Sequence, residues 1–124
     1  MDYSHYQARL EDMMMTAKDA LISQLLKSSE PQWRQEAVKL QQLPPADFID
    51  YACTLVDPRI EVVLNELCRI DAALCQGELG LYGICSDCED SIEEERLEAD
   101  PCTQRCEKCE TKRHLQKRQD LFAL

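Results

Sequence analysis

Four of the eight cysteines in this 124-residue chain form two Cys-x2-Cys pairs, Cys85 with Cys88 and Cys106 with Cys109, with 17 residues between the pairs. Two residues between thiols let a tight turn aim both sulfurs at one point, and the intervening loop returns the second pair. Zinc takes such a set as a closed tetrahedron of four thiolates, which leaves no position for water. One structural zinc held by Cys85, Cys88, Cys106 and Cys109 is therefore expected, with no catalysis at the metal. Two disulfides or free thiols are the alternative, but an apo knot with so few apolar residues has little to fold around. Cys102, four residues before Cys106, is a candidate redox thiol that could replace that ligand or form a disulfide under oxidation. His114 is a weaker substitute and is better read as a solvated helix residue. Cys53, Cys68 and Cys75 fall in helical sequence, where cysteine usually acts as a small buried hydrophobe.

The rest of the chain must position this knot. A charged fraction of 31%, three glycines and 6% aromatics favour helices over strands. No stretch is apolar enough for a transmembrane helix and no leader is recognisable, so neither membrane nor export is expected. The expected address is the cytoplasm, where thiols stay reduced and metal binding outcompetes disulfides. A net charge of −10 argues against direct binding of DNA, which requires clustered Lys and Arg. The charge is uneven. Residues 87–100 carry eight acids against Arg96, whereas residues 105–118 carry six bases against two acids; a solvated acidic loop and a charged helix face account for both. No phosphate-cradling glycine loop and no nucleophile with an identifiable base occurs, so no enzyme is indicated.

Helical periodicity begins at once. Tyr3, Tyr6, Leu10, Met13, Ala17, Ala20, Leu21 and Leu25 mark one face of a long amphipathic helix to about Lys27. Ser28-Ser29-Glu30-Pro31 interrupts it, with serine as a potential cap, and a shorter helix over 32–42 shows Trp33, Ala37 and Leu40 on one side. Pro44-Pro45 ends that helix. Beyond, Ile49, Cys53, Val56, Ile60, Val63, Leu67, Ile70 and Leu74 step by four and three like a coiled-coil seam. Pro58 sits inside this run, so a kink or a capped restart along one axis is expected. Gly77 and Gly80 read as the glycine signals that close the helix. The fold class is mainly α: a long antiparallel helical hairpin over 1–79, with its tip near 43–52, on a small zinc-finger base and C-terminal helix over 80–124. A monomer is expected.

The run Tyr82-Gly83-x-Cys85-x-x-Cys88, Ile92, Arg96-Leu97-x-Ala99-x-Pro101 and Cys106-x-x-Cys109 resembles the zinc finger of the DksA/TraR family of bacterial RNA polymerase-binding regulators. A second resemblance lies at the tip, where Asp47-Phe48-Ile49-Asp50-Tyr51-Ala52 fits the family's Asp-x-x-Asp-x-Ala motif. Two aspartates three apart at a helix start also have an ordinary explanation, Asp47 as N-cap and Asp50 favoured by the helix dipole. The resemblance implies that RNA polymerase is the partner, entered through its secondary channel. It further implies that Asp47, Asp50 and Ala52 act near the catalytic centre, and that initiation at ribosomal RNA and stress-responsive promoters is modulated. Residues 108–124, a basic helix with Leu115 and Phe122 as apolar contacts, would dock on the polymerase exterior.

Departures from the family pattern carry expectations of their own. Glu89 stands where the family usually has Gly after the second cysteine, and a side chain there restricts positive φ, leaving room for a different local turn. Asp100 and Glu110 replace the basic residues of members that cooperate with guanosine tetraphosphate, and their charges would repel its phosphates. Arg69 is the one basic candidate left nearby, so weak or no dependence on that nucleotide is expected. Two competing readings are a thiol or zinc redox switch and a coiled-coil protein adaptor.

Overall fold

The computed structural model describes residues 3–122, with side chains to residue 119. Six helices follow in order: α1 (Tyr3–Leu26), α2 (Pro31–Gln42), α3 (Pro45–Ala52), α4 (Glu61–Glu78), α5 (Glu94–Ala99) and α6 (Glu107–Phe122). Among the described residues there is no strand; a single antiparallel bridge joins Ile84 to Ser91. The chain is mainly helical, as its composition implies. No helix among the described residues is long and apolar enough to cross a membrane. The contacts divide into two units, residues 8–72 and residues 3–7 with 73–122.

In the first unit, α1 buries Leu10, Met14, Ala17, Leu21 and Leu25, a stripe at the helical period. Met14 rather than Met13 is the buried methionine, and Ala20 is exposed. Gln24 and Leu25 of α1 line a cleft with Ile60, while Met13 and Ala17 line another with Val63 and Ile70. The residues therefore pair in opposite order, and α1 and α4 run antiparallel within this unit, an arrangement compatible with a helical hairpin. Each prolyl break is built differently from the next. Pro31 occupies the first turn of α2, where its missing N–H costs nothing. The α2 N-cap is Glu30, whose side chain makes no capping bond; Ser28 instead accepts the Glu30 N–H at 3.1 Å.

The helix α3 starts earlier than the sequence suggests. Pro44 is its N-cap and Pro45 its first residue, so Asp47 lies inside the first turn and caps nothing. With only eight residues in α3, Asp50 falls in the last turn, where the dipole disfavours an anion. Phe48 and Ala52 are the buried side chains of this helix. Lys18 of α1 sits 4.8 Å over the Phe48 ring, and Lys39 of α2 sits 4.5 Å over that of Tyr51. The Tyr51 hydroxyl also donates to Glu36 of α2.

The regular seam from Ile49 to Leu74 is not one helix. Residues 53–60 form a non-helical connection in which Thr54 N–H bonds Tyr51 O at 3.0 Å and Ile60 N–H bonds Asp57 O at 3.1 Å. Asp57 also accepts from the Arg59 backbone N–H at 2.8 Å and from its guanidinium at 2.7 Å. Pro58 is accommodated in this turn rather than in a kinked helix. The heptad phase is consequently lost upstream of Ile60: Val56 is 87% exposed, and Cys53 is exposed. Downstream, Ile60, Leu67 and Ile70 are buried as the seam predicts.

In the second unit the last turn of α4 ends at Glu78, and Gly80, not Gly77, is the left-handed terminator with φ 74. Leu81 N–H reaches back to Gln76 O at 2.8 Å and Gly80 N–H to Gly77 O at 3.2 Å, a glycine-terminated helix end. Gly77 has another task, since a Cβ there would overlap the ring of Tyr3. The Tyr3 and Tyr82 ring centroids are 4.9 Å apart and those of Tyr6 and Tyr82 are 5.5 Å apart. The Tyr82 hydroxyl donates to Pro101 O at 2.7 Å. Tyr6, Cys85, Ile92, Leu97 and Cys106 form the buried cluster of this unit, with Tyr82 and Cys109 against it.

Candidate metal centre

Two backbone turns present the first pair of thiols. Cys85 N–H bonds Asp90 O at 2.7 Å and Glu89 N–H bonds Cys85 O at 3.0 Å, closing a loop that carries Cys88. The reversal needs a left-handed residue, and Glu89 supplies it with φ 65, the one positive-φ non-glycine residue among those described. The turn is therefore the one a glycine would make, adopted by a residue that finds it costly. The second pair straddles the start of α6: Cys106 precedes it, Cys109 lies in its first turn, and Glu110 N–H bonds Cys106 O at 2.9 Å. The Glu93 carboxylate accepts the Glu107 N–H at 3.1 Å, which satisfies a donor at the α6 terminus. Ser86 N–H to Gln104 O, at 2.9 Å, ties the two halves together.

The sulfurs of Cys85, Cys88, Cys106 and Cys109 all lie within 4.8 Å of one another. A tetrahedral zinc with Zn–S of about 2.3 Å sets its ligands roughly 3.8 Å apart, and Cys88 and Cys106 stand at 3.8 Å. Four soft donors at this spacing, with Cys85 and Cys106 buried, fit one zinc ion. Burial opposes ionisation of Cys85, but backbone N–H groups of Cys88, Cys106 and Asp87 outweigh it and hold the thiol down at about 6. Cys109 is pushed up to about 12, chiefly by its hydrogen bond with Cys106 and then by desolvation. One ligand is thus ready as a thiolate, while another surrenders its proton only to a metal.

Of the other residues singled out in the sequence, Cys102 is buried outside the four-sulfur group, its N–H on Asp100 Oδ1 at 3.0 Å. His114 pairs with Glu110 at 3.1 Å, and Arg69 with Glu66 at 3.3 Å. Asp47 and Asp50 are exposed, and Ala52 is buried. Leu115 is exposed on α6, whereas the Phe122 side chain lies outside the described residues. Three cysteines overturn the expectation of burial: Cys53, Cys68 and Cys75 are exposed. Cys53 and Cys68 bring their sulfurs to 3.4 Å, a pairing that a separation of 15 residues with a broken helix between does not reveal.

The sequence pattern of the prokaryotic dksA/traR C4-type zinc finger matches residues 80–113. An uncharacterized protein of Aquifex aeolicus (strain VF5) is 31% identical over 103 residues, covering 82% of this chain and 71% of that one. No solved structure matches. With its four thiols gathered for one metal inside the matched segment, the chain belongs to the DksA/TraR zinc-finger family.

Proposed function

We propose that this protein regulates transcription by binding RNA polymerase through the secondary channel and biasing its conformational equilibrium during initiation. The family is a regulatory one with a transcription-related role. The observation that carries the finer reading is the state of Asp50. Its carboxylate is exposed, makes no hydrogen bond or ion pair among the described residues, and stands in the C-terminal turn of α3 against the dipole. A charge that disfavours its own helix has its use outside that helix. Phe48 and Ala52, buried on the opposite face, fix the helix that displays it alongside Asp47.

The mechanism requires no covalent step. A ligand shifts an equilibrium only through different affinity for the two states. Two carboxylates carried into the channel would favour the polymerase conformation that offers them a basic group or a metal-bound water, and so shorten the life of an open promoter complex. The finger serves as structure, with zinc holding the fold. Guanosine tetraphosphate is not needed in this reading: Asp100 caps the Cys102 N–H, and Glu110 pairs with His114, so acids occupy both positions.

The test is multi-round transcription by purified bacterial RNA polymerase from a ribosomal RNA promoter, with and without the zinc-loaded protein, each with and without the nucleotide. A fall in transcript of similar size in both nucleotide conditions supports the proposal. Unchanged transcript under every condition removes it and leaves the redox-switch and adaptor readings.

A further inference from the structure

The thiols of Cys53 and Cys68 belong to no part of the metal centre. Cys53 is the C-cap of α3 and Cys68 lies on α4; both are exposed, and their sulfurs stand 3.4 Å apart. A disulfide needs about 2.0 Å between sulfurs, so closure asks the two sulfurs to approach by about 1.4 Å from where they stand. We infer that Cys53 and Cys68 are a reversible disulfide site, oxidised by a peroxide, whose closure clamps the C-terminal end of α3 to α4 across the 53–60 connection. This inference is independent of the polymerase reading.

The chemistry balances with peroxide as oxidant. A thiolate attacks one peroxide oxygen, the O–O bond breaks, and a sulfenic acid forms with loss of hydroxide, which takes up a proton to become water. The second thiol then attacks the sulfenic sulfur, the S–O bond breaks, the S–S bond forms, and a second water leaves. Two electrons pass from the sulfurs to the peroxide. Cys53 is pushed up to about 11, first by desolvation, then by Cys68 and by the charges of Asp50 and Asp71. The consequence falls on α3, whose C-terminal turn is held by the buried Ala52 and by the contacts of Tyr51 with Glu36 and Lys39 of α2, and which the bond would tie covalently to α4 as well. Oxidation would then fix the helix that bears Asp47 and Asp50.

The experiment treats the zinc-loaded full chain with graded hydrogen peroxide, blocks remaining thiols, and maps tryptic peptides without reductant while following zinc release. Cleavage after Lys39, Arg59 and Arg69 puts Cys53 and Cys68 on separate peptides. The expected result is a cross-linked pair of those peptides, restored to two free thiols by dithiothreitol and formed at doses below those that eject zinc. Cys53→Ser and Cys68→Ser should each abolish the cross-link, whereas Cys75→Ser should leave it intact. Cys53 and Cys68 both remaining open to alkylation at doses that eject zinc would overturn the inference. So would cross-links found only between chains.

Discussion

The hydroxyl of Tyr6 donates to the carboxylate of Glu98 at 2.9 Å, joining the first helix of the chain to the short helix between the two cysteine pairs. The ring beneath that hydroxyl is 3% exposed and packs with Cys85, Ile92, Leu97 and Cys106. The finger thus takes part of its core from a residue 79 positions before its first cysteine, and zinc alone does not complete it.

Removing that hydroxyl while keeping the ring should cost about 1 kcal/mol, the ordinary net worth of a hydrogen bond. Tyr6→Ala should cost about 3–5 kcal/mol, because it also deletes the ring. Urea unfolding of the zinc-loaded protein at fixed metal concentration measures both. Equal stability of Tyr6→Ala and the parent would show that the finger stands without this residue.

Metal uptake should be pH-dependent in a definite sense. Cys85, held at about 6, is already a thiolate at neutral pH, while Cys109, pushed up to about 12, carries its proton until zinc displaces it. Protons compete with the metal, so affinity falls as pH falls, and it falls more steeply below about 6, where Cys85 must also be deprotonated. Calorimetric titration in buffers of different ionisation enthalpy should therefore find fewer than four protons released per zinc at pH 7. Cys85→Ser should reduce zinc content severely. Affinity that stays flat from pH 5 to 8 would contradict the scheme.

The four ligands were legible because two-residue spacing dictates a turn, and a turn dictates where two sulfurs go. The α1 stripe was legible for a similar reason: Leu10, Ala17, Leu21 and Leu25 repeat at the period of the helix. The seam misled because Ile49, Cys53 and Val56 continue numerically the phase of Ile60, Leu67 and Ile70 although the backbone between them is not helical. Pro58 and the Asp57 to Arg59 turn reset that phase, and Phe48 and Ala52 are buried instead. Contacts such as Tyr6 to Glu98 or Cys53 to Cys68 leave no trace in any local period, since they join elements that meet only in the fold.

Glu89 holds φ at 65, a conformation that costs a residue with a Cβ about 1–2 kcal/mol. Glycine has no such penalty but loses more freedom on folding. Glu89→Gly should therefore raise stability by a net amount of about 0.5–1 kcal/mol, with zinc stoichiometry unchanged. Glu89→Val should lower both stability and zinc retention, since β-branching resists this region. Thermal unfolding with a zinc-indicator competition distinguishes the two directions, and a less stable glycine variant would refute the strain argument.

Gly77 offers a prediction of opposite signs. In a helix, Gly→Ala ordinarily gains about 1 kcal/mol, yet here the new Cβ would meet the Tyr3 ring, which lies tilted against that of Tyr82. Displacing Tyr3 sacrifices an aromatic contact of about 1 kcal/mol together with its burial. Gly77→Ala should accordingly destabilise the natural chain and stabilise a Tyr3→Ala variant. A double-mutant cycle by denaturant unfolding reads this reversal directly. Additive effects would mean that the notch at Gly77 does not seat Tyr3.

At Asp50, stability and function should separate. Neutralising an exposed carboxylate in the last turn of α3 removes an unfavourable dipole interaction, so Asp50→Asn should gain about 0.3–0.5 kcal/mol or be neutral. Ala52 is different, being buried at 1%; a larger residue there would disturb packing, so its loss of function would say nothing about contact with a partner. Asp50→Asn should bind zinc and polymerase nearly as the parent does and yet lose most of its effect on transcript yield. Full activity of that variant, with fold and metal intact, would relegate the carboxylate to an idle surface charge and favour an adaptor that uses other faces of the helices.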